Sequence, residues 1–245
     1  MKLGSLYRRG LEIRRKLDHP FCTAIIVAAG SASRMNGVDK ILTKLDGMPV
    51  ICRTLEAFDH NVLVDEIVVV ARRETMEQVA ELCAQYPKVR VVVPGGATRA
   101  ESVLAGLAAA SEQTQFVAVH DGARPLVSDD IVTKTIAKAE KFSAAAPAIA
   151  VKDTIAVTQN GEATHTPSRD TLRAVQTPQV FDRDLLEAAL ENAKQKELTL
   201  TDDCSAVEAL GMKIQLTDGD EENIKITTPM DLELAELILK RRREA

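Results

Sequence analysis

The stretch that most constrains the fold is a short apolar run at residues 25–29, which ends at Gly30. The run is rich in β-branched residues, which is typical of a strand buried on both faces of a sheet. The next helical pattern begins near Pro49, so the connection spans roughly eighteen residues, whereas strand-to-helix connections usually span two to six. Open α/β sheets bind ligands in loops at the carboxyl ends of parallel strands. The sequence therefore predicts a ligand-binding loop after the first strand.

This loop carries groups that suit a polyphosphate. It contains two cations, Arg34 and Lys40, and no acidic residue before Asp39. Backbone N–H groups near Gly30 and Gly37, together with a guanidinium and an ammonium group, are well matched to phosphate oxygens. An ordinary surface loop with solvated cations is the alternative that this stretch alone leaves open.

From residue 23 onwards, apolar strand-like runs alternate with segments of helical periodicity. This alternation predicts a Rossmann-like α/β fold, in which a predominantly parallel sheet is wrapped by helices. The predicted strands are residues 24–29, 66–71, 89–93, 116–120 and 146–151, and the predicted helices are residues 49–60, 74–85, 98–111 and 128–141.

The alternation ends after residue 151. Residues 152–166 predict two short strands around Asn160-Gly161, a favoured two-residue hairpin turn. A lone hairpin is marginally stable, so this arm, about residues 152–175, is expected to pack on a second subunit. The remaining chain is predicted to contain an irregular segment at 167–178, helices at 182–194, 202–210 and 229–242, a strand at 212–217 and an extended piece at 223–227.

Composition and charge exclude several classes of protein. The chain has 245 residues, of which 45% are hydrophobic and 27% charged, as expected of a globular protein. No apolar run approaches the roughly twenty residues of a membrane span, and a net charge of −5 gives no reason to expect nucleic-acid binding. Four cysteines without C-x-x-C spacing favour reduced thiols and a cytoplasmic location.

We divide the chain into a basic N-terminal extension, residues 1–22, and one α/β domain, residues 23–245. The extension is either a frayed or misassigned start, or a segment that contacts a membrane surface or a partner.

Two further clusters follow predicted strands. Residues 94–99 open a helix, so their backbone N–H groups are expected to be free to face an anion or a base. Residues 120–125 contain Asp121 and Arg124, which could also simply pair with each other. Because the carboxyl ends of parallel strands share one sheet edge, these turns and the first loop together predict a nucleotide site.

The order of the motifs along the chain is more specific than any one of them. In order, they are Ala28-Ala29-Gly30 through Arg34-Met35 to Lys40; Leu45 to Pro49; Gly95-Gly96 with Arg99, Ser102 and Val103; Val119 to Pro125; Asp153-Thr154; Arg169; Gln176-Thr177-Pro178-Gln179 with Phe181; Thr201-Asp202; and Asn223-Ile224-Lys225. This series resembles the 2-C-methyl-D-erythritol 4-phosphate cytidylyltransferases of non-mevalonate isoprenoid synthesis, within the nucleotidyltransferase superfamily.

The resemblance implies a fold of the nucleotide-diphospho-sugar transferase type with a protruding β-hairpin dimerisation arm, and a homodimer with arm-exchanged active sites. It implies transfer of a cytidylyl group from CTP to 2-C-methyl-D-erythritol 4-phosphate, with release of pyrophosphate. Mg²⁺ would be held mainly by the CTP phosphates, with no protein metal ligand expected. The alternative is the sister activity that converts ribitol 5-phosphate to CDP-ribitol.

The resemblance also implies roles for individual residues. Arg34 and Lys40 would stabilise the transition state around the triphosphate. Lys225 would position the attacking phosphate near the nucleotide, and Arg169 would bind the sugar phosphate. Arg169 and Thr154 would reach the site from the arm of the partner subunit. The implied nucleotide-binding residues are Ala28, Ala29, Gly30, Gly96, Ser102 and Asp121, and the implied substrate-binding residues are Asp121, Arg124, Thr154, Arg169, Thr177 and Thr201.

Three positions depart from the family pattern. Ala32 stands where many members carry a glycine, and Asp39 stands where they carry a proline. Ala97 stands where an acidic residue often contacts the cytosine, which leaves the choice between CTP and UTP to backbone groups.

Two rival classes are disfavoured. A nicotinamide-dependent Rossmann oxidoreductase requires G-x-G-x-x-G, but Gly30 is followed by Ala32 and Ser33. A catalytically inactive nucleotide-binding scaffold would not need the four candidate catalytic cations.

Overall fold

The computed structural model describes residues 19–30 and 39–244. The predictions made for residues 1–18, for Ala32 and for Arg34 therefore lie outside the described part of the chain.

The described chain alternates strands and helices as far as residue 150 and then changes character. Its strands are β1 (Cys22–Ala28), β2 (Lys44–Leu45), β3 (Met48–Pro49), β4 (Glu66–Ala71), β5 (Val89–Pro94), β6 (Phe116–Asp121), β7 (Ala144–Ala150), β8 (Val157–Gln159), β9 (Glu162–His165), β10 (Arg173–Val175), β11 (Gln179–Asp182) and β12 (Gln215–Asp218). Its α-helices are α1 (Val50–His60), α2 (Met76–Cys83), α3 (Arg99–Ala109), α4 (Asp129–Phe142), α5 (Arg183–Gln195), α6 (Asp203–Glu208) and α7 (Pro229–Glu244).

Eight of these strands form one sheet with β1 near its centre. β5, β4, β1 and β6 are parallel neighbours in that order. β11 is inserted antiparallel between β6 and β7, and β10 continues antiparallel along β7. β12 pairs in parallel with the other edge of β7. The predicted Rossmann-like fold, a mainly parallel sheet wrapped by helices, is confirmed.

Burial explains why the central strands read as continuous apolar runs. Every residue of β4 is buried, as is every residue of β1 except Val27. Because side chains alternate across a strand, Ile26 packs with Phe58 of α1 and with α4 on one face. Ile25 packs on the other face with α3 and α5. Helices therefore cover both faces of the sheet.

The arm is confirmed as a hairpin. β8 and β9 form their own antiparallel two-stranded sheet, and every residue of both strands is exposed. Asn160 has φ of 53° and Gly161 has φ of 84°, the left-handed values that favoured two-residue hairpin turns require.

The predicted helix and strand ends agree with the structure to within about two residues for most elements. The predicted irregular segment at 167–178 was wrong over residues 173–175, where β10 pairs with β7. The strand β11 was missed altogether. Both strands are too short to show a two-residue period, and their pairing partners are distant in sequence.

α7 closes the fold near the carboxyl ends of the parallel strands. Its residues Ala235 and Ile238 pack on Leu126 and Ile226 in a separate apolar cluster. This contact fixes the chain directly after Lys225. Within residues 19–30 and 39–244, no helix combines the length and the apolarity that crossing a membrane requires.

Candidate active site

A cleft of about 310 Å³ lies at the carboxyl ends of β1, β5 and β6, the edge where the sequence predicts a ligand. Among the described residues, three cations line it, Lys40, Arg99 and Lys225, together with the carboxylate of Asp121. All six predicted nucleotide-binding residues also line it, namely Ala28, Ala29, Gly30, Gly96, Ser102 and Asp121. The structure therefore brings Lys40 and Lys225 together with these residues in one cleft.

Asp121, at the end of β6, is the electrostatic centre of the cleft. Its carboxylate lies 2.9 Å from Lys225 Nζ, 3.4 Å from Arg124 Nε and 3.7 Å from Arg99 Nη2. Burial alone would raise the pKa of the Asp121 carboxyl, but these three cations outweigh burial and hold the pKa far below its ordinary range. Asp121 is therefore ionised at neutral pH and holds three positive groups around itself.

Thr177 and His120 hold the end of β6 in place. The Asp121 N–H donates to Thr177 Oγ1 at 3.1 Å, and Thr177 Oγ1 lies 3.0 Å from His120 Nδ1. His120 Nε2 lies 3.2 Å from the Arg124 carbonyl oxygen, which can only accept. Nε2 therefore carries the ring hydrogen, and Thr177 donates to Nδ1. Burial lowers the pKa of His120 to about 3, so the ring stays neutral and acts as a support.

The turn before α3 is less open than the sequence suggests. The predicted free N–H groups were wrong for three residues, because Gly96 donates to Ser102 Oγ, while Ala97 and Thr98 donate to Glu101 Oε2. Thr98 and Glu101 form a complete capping box. Ser102 and Glu101, both in the first turn of α3, thus accept the hydrogen bonds that these N–H groups could otherwise donate to a ligand.

Arg99 and Asp203 form an ion pair that no pattern in the sequence indicates. Arg99 is the first residue of α3 and lines the cleft, whereas Asp203, in α6, is 1% exposed. Burial raises the pKa of the Asp203 carboxyl, and Arg99 opposes that rise. The Asp203 N–H donates to Gln179 Oε1 at 3.1 Å. Arg99 belongs to the motif that begins at Gly95-Gly96, but its partner lies 104 residues away in sequence, so no local pattern could indicate the pair.

The other predicted residues that the structure describes lie outside the cleft lining. Thr154 and Arg169 belong to the arm, where Arg169 Nη1 donates to the Lys152 carbonyl oxygen at 2.7 Å. Thr201 lines a neighbouring cavity of about 400 Å³, which shares Thr98 and Arg99 with the cleft. Arg124 reaches the site through its contact with Asp121.

Asp39 has a structural role next to Lys40. Its carboxylate pairs with Arg72 and accepts from the Ile41 N–H at 2.9 Å. These contacts fix the chain on which Lys40 enters the cleft.

Fold and site match the class of the nucleotidyltransferases, to which the family model assigns the chain: a Rossmann-like sheet presents cations and a carboxylate at the edge where such sheets bind ligands. The particular family follows from comparison. The chain belongs to the 2-C-methyl-D-erythritol 4-phosphate cytidylyltransferase family, whose model matches residues 22–241. The predicted resemblance is thereby confirmed.

Individual relatives agree with this assignment. The 2-C-methyl-D-erythritol 4-phosphate cytidylyltransferase of Alkaliphilus oremlandii is 40% identical over 227 residues, covering 91% of this chain and 96% of the relative. That of Desulforamulus reducens is 43% identical over 224 residues, covering 89% and 96%. The crystal structure of 4-diphosphocytidyl-2C-methyl-D-erythritol synthase from Anaerococcus prevotii superposes with a TM-score of 0.82 at 33% identity, covering 91% of this chain and 100% of that one.

Replacing Arg99 with methionine is expected to lower the free energy of unfolding by about 1–3 kcal/mol, because buried Asp203 loses a charged donor. The pKa of Asp203 would then rise further, so the folded state would hold a proton that the unfolded state releases. The difference in unfolding free energy between wild type and variant should therefore become smaller as the pH falls from 8 to 5. Urea unfolding of both proteins at the two pH values measures this difference.

The matched control is Arg90→Met. Arg90 pairs with Glu66, which is also buried but keeps hydrogen bonds from Thr23 Oγ1 and the Ser111 N–H. A smaller loss is expected there. Equal losses at both sites, or an Arg99→Met loss that does not change with pH, would contradict this account of the pair.

Proposed function

We propose that the protein transfers the cytidylyl group of CTP to 2-C-methyl-D-erythritol 4-phosphate, giving 4-diphosphocytidyl-2-C-methyl-D-erythritol and pyrophosphate. The observation that carries the proposal is the convergence of Lys40, Arg99 and Lys225 on one cleft, in a chain that matches this family over residues 22–241.

The chemistry needs charge stabilisation more than it needs a nucleophilic side chain. A phosphate monoester oxygen of the acceptor attacks the α-phosphorus of CTP in line, and the bond from that phosphorus to the bridging oxygen breaks. Pyrophosphate leaves with the bonding electron pair. Because the acceptor itself attacks the α-phosphorus, no covalent enzyme intermediate forms. The barrier lies in bringing anions together and in stabilising the charge that develops on the α-phosphate, which fixed cations do.

The charge network around Asp121 suits this task. Lys225 is 38% exposed at its side chain and is held 2.9 Å from Asp121, so its ammonium group is oriented toward the cleft before substrates bind. We assign the attacking phosphate to Lys225 and the triphosphate to Lys40, with Arg34 assigned to the triphosphate from its position in the sequence. Cations that are already aligned need little reorganisation when anions arrive.

Mg²⁺ is proposed to accompany the nucleotide. This ion keeps several waters and usually takes one or two carboxylates together with substrate phosphates. Among the described residues, no group of three or more His, Cys, Asp or Glu side chains is arranged to hold a metal ion, and Asp121 is the carboxylate that lines the cleft. We propose that the ion would be held mainly by the triphosphate oxygens, where it would neutralise part of the phosphate charge.

The homodimer is likewise a proposal, supported by the arm. Arg169 and Thr154 lie on an exposed segment beside the hairpin, and Ile155 and Val157 expose 43% and 42% of their surfaces there. Apolar side chains on a marginal hairpin favour contact with a second copy, whose cleft would receive Arg169 and Thr154. The proposed location is the cytoplasm, which agrees with four buried free cysteines.

Measuring pyrophosphate release with CTP, UTP, ATP and GTP against both polyol phosphates tests the proposed function. CTP with 2-C-methyl-D-erythritol 4-phosphate is expected to be the fastest pair, ahead of ribitol 5-phosphate by orders of magnitude. Faster turnover with ribitol 5-phosphate would transfer the assignment to the sister activity.

Mixing subunits tests the exchanged arms. Arg169→Ala and Lys40→Ala subunits are each expected to be nearly inactive as homodimers, whereas their hybrid should regain activity, since one of its two sites then contains both native residues. The control mixes Lys40→Ala with Lys225→Ala subunits. Because these two residues line the cleft of one subunit, both hybrid sites remain damaged. Absence of recovery in verified Arg169→Ala hybrids would contradict the exchange.

A further inference from the structure

Gln176 is a buried amide, 5% exposed, at the junction between the arm and the core sheet. The reaction described above gives it no role. We propose that Gln176 is a positioning residue for the transfer, which acts by fixing the turn at residues 219–223 that precedes Lys225. The inference rests on the proposed function, because Lys225 is assigned there to the attacking phosphate.

The amide of Gln176 is bonded to the backbone of Asp220 in both directions. Gln176 Nε2 donates to the Asp220 carbonyl oxygen at 2.8 Å, and Gln176 Oε1 accepts from the Asp220 N–H at 3.2 Å. The backbone N–H of Gln176 donates to the Pro147 carbonyl oxygen of β7 at 2.8 Å. The side chain therefore joins the turn at residues 219–223 to the central sheet in the way that a strand pairing would.

Asn223, two residues before Lys225, extends this set of hydrogen bonds along the chain. It is fully buried, and its Nδ2 donates to Gln176 Oε1 at 3.3 Å and to the Thr177 carbonyl oxygen at 3.0 Å. The Asn223 carbonyl oxygen accepts from Arg124 Nη1 at 2.7 Å, which ties the turn to the Asp121 cluster.

The chain is held again on the far side of Lys225. The Ile226 N–H donates to the Ala123 carbonyl oxygen at 2.8 Å. Lys225 therefore lies between two fixed points, Asn223 and Ile226, and reaches Asp121 from there. A shift at either point would move the ammonium group relative to the cleft.

The turn is shaped to accept this amide. A Cβ atom on Gly219 would lie 2.7 Å from Gln176 Oε1 and 3.0 Å from the backbone of Ala148. The Gly219 N–H donates to the Ala148 carbonyl oxygen at 3.0 Å, so the chain cannot move away without losing that bond. A side chain at position 219 would therefore press on the Gln176 amide and on β7.

A double-mutant cycle in the full-length enzyme tests the proposal. Gln176→Ala, Lys225→Ala and the double variant are compared by kcat/KM for pyrophosphate release with CTP and 2-C-methyl-D-erythritol 4-phosphate. Misplacing a catalytic group by about 1 Å can cost 10²-fold, so Gln176→Ala is expected to lose about 10–100-fold. In the Lys225→Ala background the same change is expected to lose about twofold or less, because the group being positioned is absent. Losses that multiply independently would overturn the inference.

Gln176→Glu is a second variant that tests the proposal if Gln176→Ala does not fold. Glutamate preserves the size and the acceptor of the side chain but, when ionised, cannot donate to the Asp220 carbonyl oxygen. Burial raises the pKa of a carboxyl group, and the protonated form regains the donor. The ratio of variant to wild-type activity is therefore expected to rise as the pH falls. A ratio that does not change with pH would contradict a positioning role for the hydrogen bonds between Gln176 and Asp220.

Asn61→Ala is the matched control. Asn61 is also fully buried, and its side chain bonds to Asp129, Thr133 and the Leu63 N–H, none of which lines the cleft. A comparable fall in melting temperature without coupling to Lys225 supports a specific role for Gln176, whereas equal coupling at both sites overturns it. A wild-type enzyme inactive with every substrate pair would refute the proposed function itself, and an additive cycle in an active enzyme would refute this inference alone.

Discussion

The contact between the Asp121 carboxylate and its three cations is the interaction on which the rest of the site depends. A buried carboxylate is costly without partners, and Lys225, Arg99 and Arg124 provide them from three separate parts of the chain. The same contacts keep mutually repelling cations close together. One negative charge at the end of β6 therefore holds three positive groups together at this edge of the sheet.

The fold supplies the rigidity that this arrangement needs. Asp121 ends β6, whose neighbouring strands β1 and β11 are buried on both faces. The Asp121 N–H donates to Thr177, which lies just before the antiparallel strand β11. Lys225 sits on a segment held by Gln176 and Asn223 on one side and by the α7 cluster on the other. Arg99 is aimed by Asp203, which Gln179 holds in turn. The two glutamines that flank Thr177 and Pro178 thus support two different cations of one cleft.

Local patterns were sufficient for the parallel strands, the helices around them and the Asn160-Gly161 hairpin, because each depends on side-chain periodicity or on turn chemistry within a few residues. They were insufficient for β10 and β11, which have three and four residues and are defined by pairing with distant strands. The same reason explains why two contacts could not be predicted, since the partners are remote in sequence: Arg99 with Asp203, and Gln176 with Asn223. The turn at Gly96 shows a different failure. Its N–H groups looked available in the sequence, yet Glu101 and Ser102 occupy them.

The central claim is that cations gathered around Asp121 stabilise the transfer of the cytidylyl group. The most direct measurement is kcat for pyrophosphate release by Lys225→Ala at saturating CTP and 2-C-methyl-D-erythritol 4-phosphate, beside Lys138→Ala, a lysine of α4 that lies over the ring of Phe142. The expected result is a fall of about 10²–10³-fold for Lys225→Ala, measured on folded enzyme, and wild-type turnover for Lys138→Ala. A kcat for Lys225→Ala within about twofold of wild type would contradict it.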